Sequence, residues 1–181
     1  AIFIGLLVPS IYGMSRFTVD DDLVARFPAD HPIQMDSKYF DEHFSGTEAF
    51  DIFIDADEKN GLLDPELFKK LDELERTLEA DPQIREVTSV VDVIRRMHGL
   101  LADDGTRLPS TREGLAQTLL LFEMSGGKEL SRLIDFDRKS MRISVRYGYL
   151  AMREGYALGD RVQQITQGII GDRAKAEVNG F

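Results

Sequence analysis

Ser140-Met-Arg-Ile-Ser-Val-Arg-Tyr-Gly-Tyr149 is the stretch of this 181-residue chain that indicates the fold class most directly. Its apolar and polar side chains alternate, and the apolar set comprises Met141, Ile143, Val145 and Tyr147. Alternation with a period of two residues is typical of a β-strand with one buried and one solvated face. The stretch therefore predicts a half-buried strand over 140–149.

Strands are predicted at three further places, over 48–55, 84–89 and 174–178. In the first of them, Phe50, Ile52 and Ile54 fall on one face, as the period of a strand requires. In the second, β-branched residues such as Val87 and Thr88 favour extended backbone. Together with the 140–149 strand they make four.

Two long helices alternate with these strands. Asp64 and Pro65 supply an N-cap and a first-turn proline for a helix that Asp81-Pro82 ends. Leucines recur within it at helical spacing, at positions 67, 71, 74 and 78. The other helix lies between the last two strands and ends near Gly171. Its recurring apolar residues are Leu158, Val162, Ile165 and Ile169.

An insertion of two further helices is predicted between the second and third strands, over 92–102 and 111–124. Asp103-Asp-Gly105 turns the chain between them, and Ser110 or Thr111 caps the second helix. Apolar residues wrap most of that second helix, which is more than a helix lying on one core needs. In the first helix the set expected to face inward is Val93, Ile94, Met97, Leu100 and Leu101.

The order of elements forms two βαβ-like halves, with the helical insertion at about residues 90–130 between them. A four-stranded sheet with two helices on one face is the economical packing of such halves. We therefore predict an α+β fold of the ferredoxin-like split βαβ type with a helical insertion. A fold of this kind names no function by itself.

The N-terminal residues indicate a membrane boundary. Residues 1–13 are largely apolar, but as a helix they span only about 20 Å, against about 30 Å for the hydrocarbon core of a bilayer. We therefore expect residues 1–15 to be the end of a truncated transmembrane helix. The acids at 20–22 lack the Lys and Arg excess of a cytoplasmic flank, which favours an outward exit. The alternative is a buried N-terminal strand or helix of a soluble protein.

The segment after this boundary, 16–46, is predicted to be a connector with short helices. Asp30 and Pro32 are expected to start one of these helices, and Gly46 to end it. The remaining residues, 47–181, would then form the main domain.

The composition excludes several classes of function. Lys and Arg number 22 against 32 Asp and Glu, so the net charge is −10, which disfavours nucleic acid as a partner. No cysteine is present, so disulfides, thiolate zinc sites and a thiol nucleophile are excluded. The three histidines lack the spacing of a shared metal site. No nucleophile elbow or phosphate loop occurs, so we expect no enzyme, no cofactor and no metal.

A calcium loop is the nearest approach to a metal motif. Asp55, Asp57 and Glu66 match its first, third and twelfth positions. The fifth position is Lys59 and the turn glycine comes one residue late, so these acids are interpreted as a solvated turn and a helix start.

The signal that remains is an excess of apolar side chains, which fits either a core or the wall of a cavity for a hydrophobic ligand. The helices of the insertion supply most of them, and residues after the 140–149 strand could join the same wall. The candidate ligand-binding residues are Val93, Met97, Leu100, Leu101, Leu119, Leu120, Phe122, Met124, Tyr149, Met152 and Tyr156.

Several short motifs occur in the order expected of one family of membrane transporters. They are Val19-Asp-Asp-Asp-Leu23, Arg26-Phe-Pro28, Asp30-His-Pro32, Phe44-Ser-Gly-Thr-Glu-Ala-Phe50, Leu63-Asp-Pro65, Asp81-Pro82, Val87-Thr-Ser89, Leu108-Pro109 and Val178-Asn-Gly180. In these the chain resembles the first periplasmic loop of bacterial exporters of the resistance-nodulation-division (RND) superfamily. The similarity is to the branch of mycobacterial-type (MMPL) lipid exporters and hopanoid and sterol carriers.

The resemblance implies a porter domain between two transmembrane helices of a proton-driven exporter, on the periplasmic side of the bacterial inner membrane. Its cargo would be a hydrophobic lipid such as a sterol or hopanoid. The implied partners are the transmembrane helices, the second periplasmic domain and periplasmic lipid-carrier proteins. The alternative function is that of a protein-interaction module, whose apolar surface docks other periplasmic domains and never contacts cargo.

Overall fold

The computed structural model describes residues 26–102, 108–126 and 128–180. Its centre is a four-stranded antiparallel sheet with the strand order β2-β3-β1-β4. The strands are β1 (Glu48–Asp55), β2 (Ile84–Thr88), β3 (Ser140–Tyr147) and β4 (Lys175–Asn179). The α+β class predicted from the sequence is therefore confirmed.

Five α-helices accompany the sheet in the described residues. They are α1 (Pro32–His43), α2 (Pro65–Glu79), α3 (Val90–Ala102), α4 (Arg112–Met124) and α5 (Met152–Ile170). Short 3₁₀ turns lie at Gly61–Leu63, Lys128–Arg132 and Gly171–Arg173. Helices α3 and α4 belong to the insertion, while α2 connects β1 to β2 and α5 connects β3 to β4.

One face of the sheet is buried and the other is open to solvent. Ile52, Ile54 and Ile143 are fully buried, whereas Phe53 on the opposite face of β1 is exposed. Helices α2 and α5 pack against each other and supply about half of the apolar cover, and the insertion supplies nearly as much. Burying one such leucine or isoleucine contributes about 1.5–3 kcal/mol. The insertion joins the same core through side chains of α4.

The sequence located the helix starts by their capping residues, with one correction. Asp64 caps α2, because its side chain accepts a hydrogen bond from the N–H of Glu66 at 3.0 Å. Thr111 caps α4 in the same way. For α1 the predicted start at Pro32 agrees with the structure, but its cap is His31, whose Nδ1 atom accepts from the N–H of Ile33 at 3.3 Å, and the helix ends at His43, before the predicted end at Gly46.

Two predictions for strand and helix residues are also corrected. The strand predicted over 140–149 ends at Tyr147. Two residues further on, the N–H of Tyr149 donates to the side chain of Asp41 and not to a neighbouring strand. Leu100, predicted to face inward on α3, is 82% exposed. Helical periodicity places residues on a common face, but it does not say whether another element covers the whole of that face.

Some predictions lie outside the described residues. These are the transmembrane end at residues 1–15, the first part of the connector up to residue 25, and the turn at 103–105. Among the helices of the described part of the chain, none has the length and apolar content needed to cross a membrane.

Two glycines with nearly the same backbone angle test how tightly the end of the sheet is packed. Gly46 has φ +90° and Gly126 has φ +91°. A Cβ at Gly46 would lie 2.2 Å from the carbonyl oxygen of Tyr147, whereas at Gly126 nothing lies within 4 Å. We expect Gly126→Ala to cost about 1–2 kcal/mol from backbone strain alone. Gly46→Ala should cost about 3 kcal/mol or more, because the β1–β3 end must also shift.

Urea denaturation of the two variants measures both costs. Equal losses in the free energy of unfolding would show that the contact between Gly46 and Tyr147 does not constrain the sheet.

Candidate functional site

A cleft lies where the insertion meets the edge of the sheet. It has a volume of about 290 Å³ and is bounded by β2, α3, α4 and residues 130–133. Its apolar walls are Val93, Phe122, Leu130 and Leu133, together with Val87 of β2. Its polar lining residues are Glu86, Thr88 and Ser89 at the end of β2 and Asp92 and Arg96 of α3. A cleft with both apolar and polar lining residues fits a small amphipathic ligand.

A larger, open groove adjoins the cleft. It has a volume of about 890 Å³ and lies between the end of α4, the turn at residues 59–60 and the segment 130–138. Leu130 lines both cavities, so the two lie next to each other. Ile134 and Phe136 add apolar surface to the groove, while Glu123 and Arg138, which also line it, form an ion pair at 3.6 Å.

The loop 135–139 holds Phe136 in the open groove. The side chain of Asp135 accepts hydrogen bonds from the N–H groups of Lys139 at 2.7 Å and Ser140 at 2.9 Å. The carbonyl of Asp137 accepts from the N–H of Asn60 at 2.8 Å, which ties the loop to the turn before α2. Phe136 is nevertheless 97% exposed. Together with Leu130 and Ile134, the ring adds to the apolar surface of the groove.

A buried carboxylate fixes the inner end of the cleft. Glu75 of α2 has no exposed surface, and the hydroxyl of Ser89 donates to its Oε1 atom at 2.6 Å. The same Ser89 oxygen accepts from the N–H of Val91 at 2.9 Å, which makes Ser89 the cap of α3. Glu75 therefore orients the residue that starts the insertion.

Arg95 ties α3 to α2 a turn further along. Its guanidinium donates to Glu75 at 2.7 Å and to Asp72 on α2, and to Asp92 on its own helix at 2.7 Å. Burial raises the pKa of Glu75 above its ordinary value, although hydrogen bonds from Ser89 and Arg95 act in the opposite direction. Burial disfavours the charged form of Arg95, but hydrogen bonds to Asp72 and Glu75 outweigh it and raise the pKa of Arg95. This network places the α3 wall of the cleft.

The candidate residues predicted on the insertion fall into three groups. Val93 and Phe122 line the cleft. Leu119 is buried in the core, and Met97 is half-buried. Leu100, Leu120 and Met124 are exposed, the last of them to 75%. The side chain of Leu101 lies outside the described part of the chain.

The candidates that follow β3 do not join this surface. Tyr149, Met152 and Tyr156 are exposed and lie after the end of β3 at Tyr147, and the N–H of Tyr149 donates to Asp41 of α1. The insertion begins instead at Ser89, next to Thr88, which pairs with Ser144 in the middle of β3. The predicted wall is thus divided between two parts of the molecule.

Residues 130–136 are the functional candidates that sequence reasoning missed. Leu130, Leu133 and Ile134 are buried or half-buried walls of the two cavities. Leu133 and Ile134 follow Leu130 by three and four residues, the spacing of apolar residues on one face of a helical turn. This spacing was the signal in the sequence that could have identified them. The turn follows two glycines and is short, so the segment resembles a loop in sequence.

The acidic residues of the calcium-like loop have other partners. Asp57 forms an ion pair with Lys175 at 2.6 Å, and Asp64 caps α2. Among the described residues, no group of three or more His, Cys, Asp or Glu side chains is arranged to hold a metal ion. The interpretation as a solvated turn and a helix start agrees with these contacts.

Comparison with models of known protein families gives no match, and the curated proteins include no significantly similar sequence.

Glu75 provides a test of this network through pH. Its ordinary pKa is 4.5, and burial raises the value in the folded state. Below about pH 4.5 the group is protonated in both states, and its contribution to stability is fully present. As the pH rises through the raised pKa, the folded state binds more protons than the unfolded state, so the free energy of unfolding falls. We expect Glu75→Gln to remove this decrease.

Urea denaturation of wild type and variant between about pH 4 and about pH 8 measures the difference. Glu73→Gln removes the same charge from an exposed position of α2 and controls for net charge. If the stability of the Glu75→Gln variant changed with pH in parallel with the wild type, the buried carboxyl would not be the cause.

Proposed function

We propose that this chain is a substrate-handling porter domain of a proton-driven RND transporter of the MMPL type, and that its cargo is a hydrophobic lipid such as a sterol or hopanoid. The domain would face the periplasm at the bacterial inner membrane. The observation that carries the proposal is the pair of cavities that Leu130 lines, an amphipathic cleft and a mainly apolar groove, beside exposed leucine, methionine and phenylalanine side chains.

The strand order supports the fold part of this proposal. A ferredoxin-like plait needs β1 and β3 in the centre and β2 and β4 at the edges, with one helix after β1 and one after β3. The order β2-β3-β1-β4, with α2 and α5 in those connections, satisfies each requirement. We therefore propose a ferredoxin-like plait in which α3, α4 and the segment up to residue 138 form the insertion.

The cavity dimensions suit a lipid. Ligand sites typically have volumes of about 300–1,000 Å³, and the cleft and the groove lie at the lower and upper parts of this range. Removing roughly 300 Å² of apolar ligand and wall surface from water is worth about 7 kcal/mol before the costs of association. Binding in the micromolar range requires a net value of about 8 kcal/mol after association costs of about 4–15 kcal/mol, so roughly 500–900 Å² of apolar surface must be buried, and the lipid must extend into the groove as well as the cleft.

The polar side of the cleft gives the cargo an orientation. Glu86, Thr88 and Arg96 are exposed lining residues of the cleft and offer a carboxylate, a hydroxyl and a guanidinium, whereas the hydroxyl of Ser89 is buried and bonded to Glu75. A lipid with a single hydroxyl at one end of a rigid apolar body matches this arrangement. The domain carries out no chemistry on such a cargo: its share of transport is to hold the lipid and pass it on, while proton flow occurs in the membrane helices.

A titration with a fluorescent sterol tests the proposal. We expect saturable binding by the wild type, and a dissociation constant at least about tenfold higher for Val93→Asp, because the new carboxylate would face the apolar cleft. Phe136→Asp should weaken binding in the same direction without a cost to stability, since the ring is almost fully exposed. Ile33→Asp is the matched control, because Ile33 is an exposed apolar residue of α1, away from both cavities.

Absence of saturable binding by the folded wild type would contradict the proposal. So would equal affinity of wild type and Val93→Asp when circular dichroism shows that both are folded.

One observation favours the alternative function of a protein-interaction module. Ile33, Phe40 and Phe44 lie on one side of α1, and each is about half exposed. The rings of Phe40 and Phe44 stack at 4.3 Å, so they form a compact apolar surface. An interaction module predicts concentration-dependent association that Phe40→Asp abolishes and that sterol does not affect. Light scattering of the wild type and of Phe40→Asp, with and without sterol, separates the two functions.

A further inference from the structure

The edge strand β4 carries a feature that neither the fold nor the cavities require. β4 is the last strand of the sheet, and only its inner side pairs with β1. The outer side of an edge strand presents backbone N–H and C=O groups that can pair with a strand of another molecule. Proteins avoid such pairing in several ways, for example by covering the edge or by making it irregular.

The side chain of Gln163 covers this edge. Its Nε2 atom donates to the carbonyl of Ala176 at 3.2 Å, and its Oε1 atom accepts from the N–H of Val178 at 2.9 Å. Gln163 lies on α5, which packs along β4, and its side chain is half-buried. One amide group thus binds the outer backbone groups of two alternate residues.

This arrangement imitates a neighbouring strand. Successive residues of a strand direct their backbone groups to opposite sides, so Ala176 and Val178 face outward together while Glu177 between them faces β1. A real neighbouring strand would offer a donor to the carbonyl of Ala176 and an acceptor to the N–H of Val178. The Gln163 amide offers the same pair of groups, and it needs no second molecule.

The opposite edge of the sheet uses a different device. The pairing of β2 with β3 shifts register between Ile84 and Glu86, so the β2 edge is irregular. A bulge of this kind twists an edge and disrupts its hydrogen-bonding pattern. In the pairing of β4 with β1 the register is continuous over all five residues. The regular edge is therefore the one that needs a side chain to close it.

We propose that Gln163 locks the β4 edge, and that without this lock the edge pairs with β4 of a second copy of this chain. The charges of β4 are complementary in an antiparallel pair. When Ala176 of one copy lies opposite Ala176 of the other, Lys175 lies opposite Glu177 on both sides of the pair. Lys175 and Glu177 are both exposed, so the two cross-strand ion pairs form on the solvated face, where Lys175 exchanges its ion pair with Asp57 for one with Glu177 of the second copy.

Gln163→Ala tests the lock in the 181-residue chain. We expect its self-association constant, measured by sedimentation velocity over a range of concentrations, to rise at least about tenfold above that of the wild type. The amide proton of Val178 should also exchange at least about tenfold faster in dilute solution. Exchange of the Glu177 amide should remain slow, because that group bonds to β1. Gln164→Ala, at the exposed neighbouring position of α5, is the matched control and should behave as the wild type.

A second substitution identifies the interface. The N–H of Ala176 faces outward with its carbonyl, so proline at this position removes a group needed for pairing between copies while leaving the bonds to β1. Adding Ala176→Pro to Gln163→Ala should return the association constant to that of the wild type. Gln163→Met has a side chain of similar length without hydrogen-bonding groups. It should associate as Gln163→Ala does, which covers the case in which the alanine variant folds poorly.

Three results would overturn the proposal. The first is a Gln163→Met or Gln163→Ala variant that is folded and associates no more than the wild type. The second is a Gln164→Ala control that associates as strongly as the Gln163→Ala variant. The third is association that Ala176→Pro does not reverse, because the interface would then lie elsewhere. None of these results depends on lipid binding, so the proposal stands or fails independently of the proposed function.

Discussion

The structure depends on one constraint: the sheet has a single buried face, and α2, α5 and the insertion share its apolar cover. Ile52 and Ile143 on this face are fully buried, and Phe53 on the other face stays exposed. The insertion packs against the sheet through α3, which contacts β3. Helices α3 and α4 can bury only part of their apolar residues, and they do so beside the edge strand β2 and against the turn at Gly61–Leu63. The cleft and the exposed side chains follow from this.

The polar network at Glu75 determines where the insertion sits on that edge. A buried carboxylate and a partly buried guanidinium contribute little net stability as a pair, because both must be desolvated. Their geometry is specific, however, since Glu75 binds the cap of α3 while Arg95 reaches α2. We infer that the main role of this network is to hold α3 in position against α2, and that its contribution to the stability of the fold is small. A fixed α3 is also what a cleft between this helix and β2 requires.

The sequence predicted the elements better than it predicted the site. The alternation of apolar and polar residues in 48–55 and 140–147 identified these strands. Successive side chains of a strand point to opposite faces of the sheet, and here one face is buried and the other solvated. Asp64 and Thr111 marked helix starts, because a cap is a local interaction between neighbouring residues. Strand order and the packing of α2 against α5 depend on contacts between residues that are distant in the sequence. A local pattern does not contain these contacts, and only the order of the elements, by indicating a known fold, predicts them.

The candidate site illustrates where local patterns stop being informative. Val93 and Leu100 belong to the same helix and are both apolar, yet one lines the cleft and the other is largely exposed. The difference is whether α4 or residues 130–133 lie opposite, and neither can be deduced from the periodicity of α3. Composition groups Tyr149 and Tyr156 with the insertion, but neither lines the cleft or the groove, and the N–H of Tyr149 donates to Asp41 of α1. Leu130, which lines both cavities, was missed because it lies in a short turn after two glycines.

The most direct measurement is photochemical labelling with a sterol that carries a diazirine, followed by mass spectrometry of the labelled peptides. If the cleft and groove hold the lipid, labels should concentrate on residues 89–96, 122 and 130–136, and an excess of unlabelled sterol should displace them. Labelling spread over exposed apolar residues without displacement, or concentrated on α1, would contradict a lipid site at the insertion.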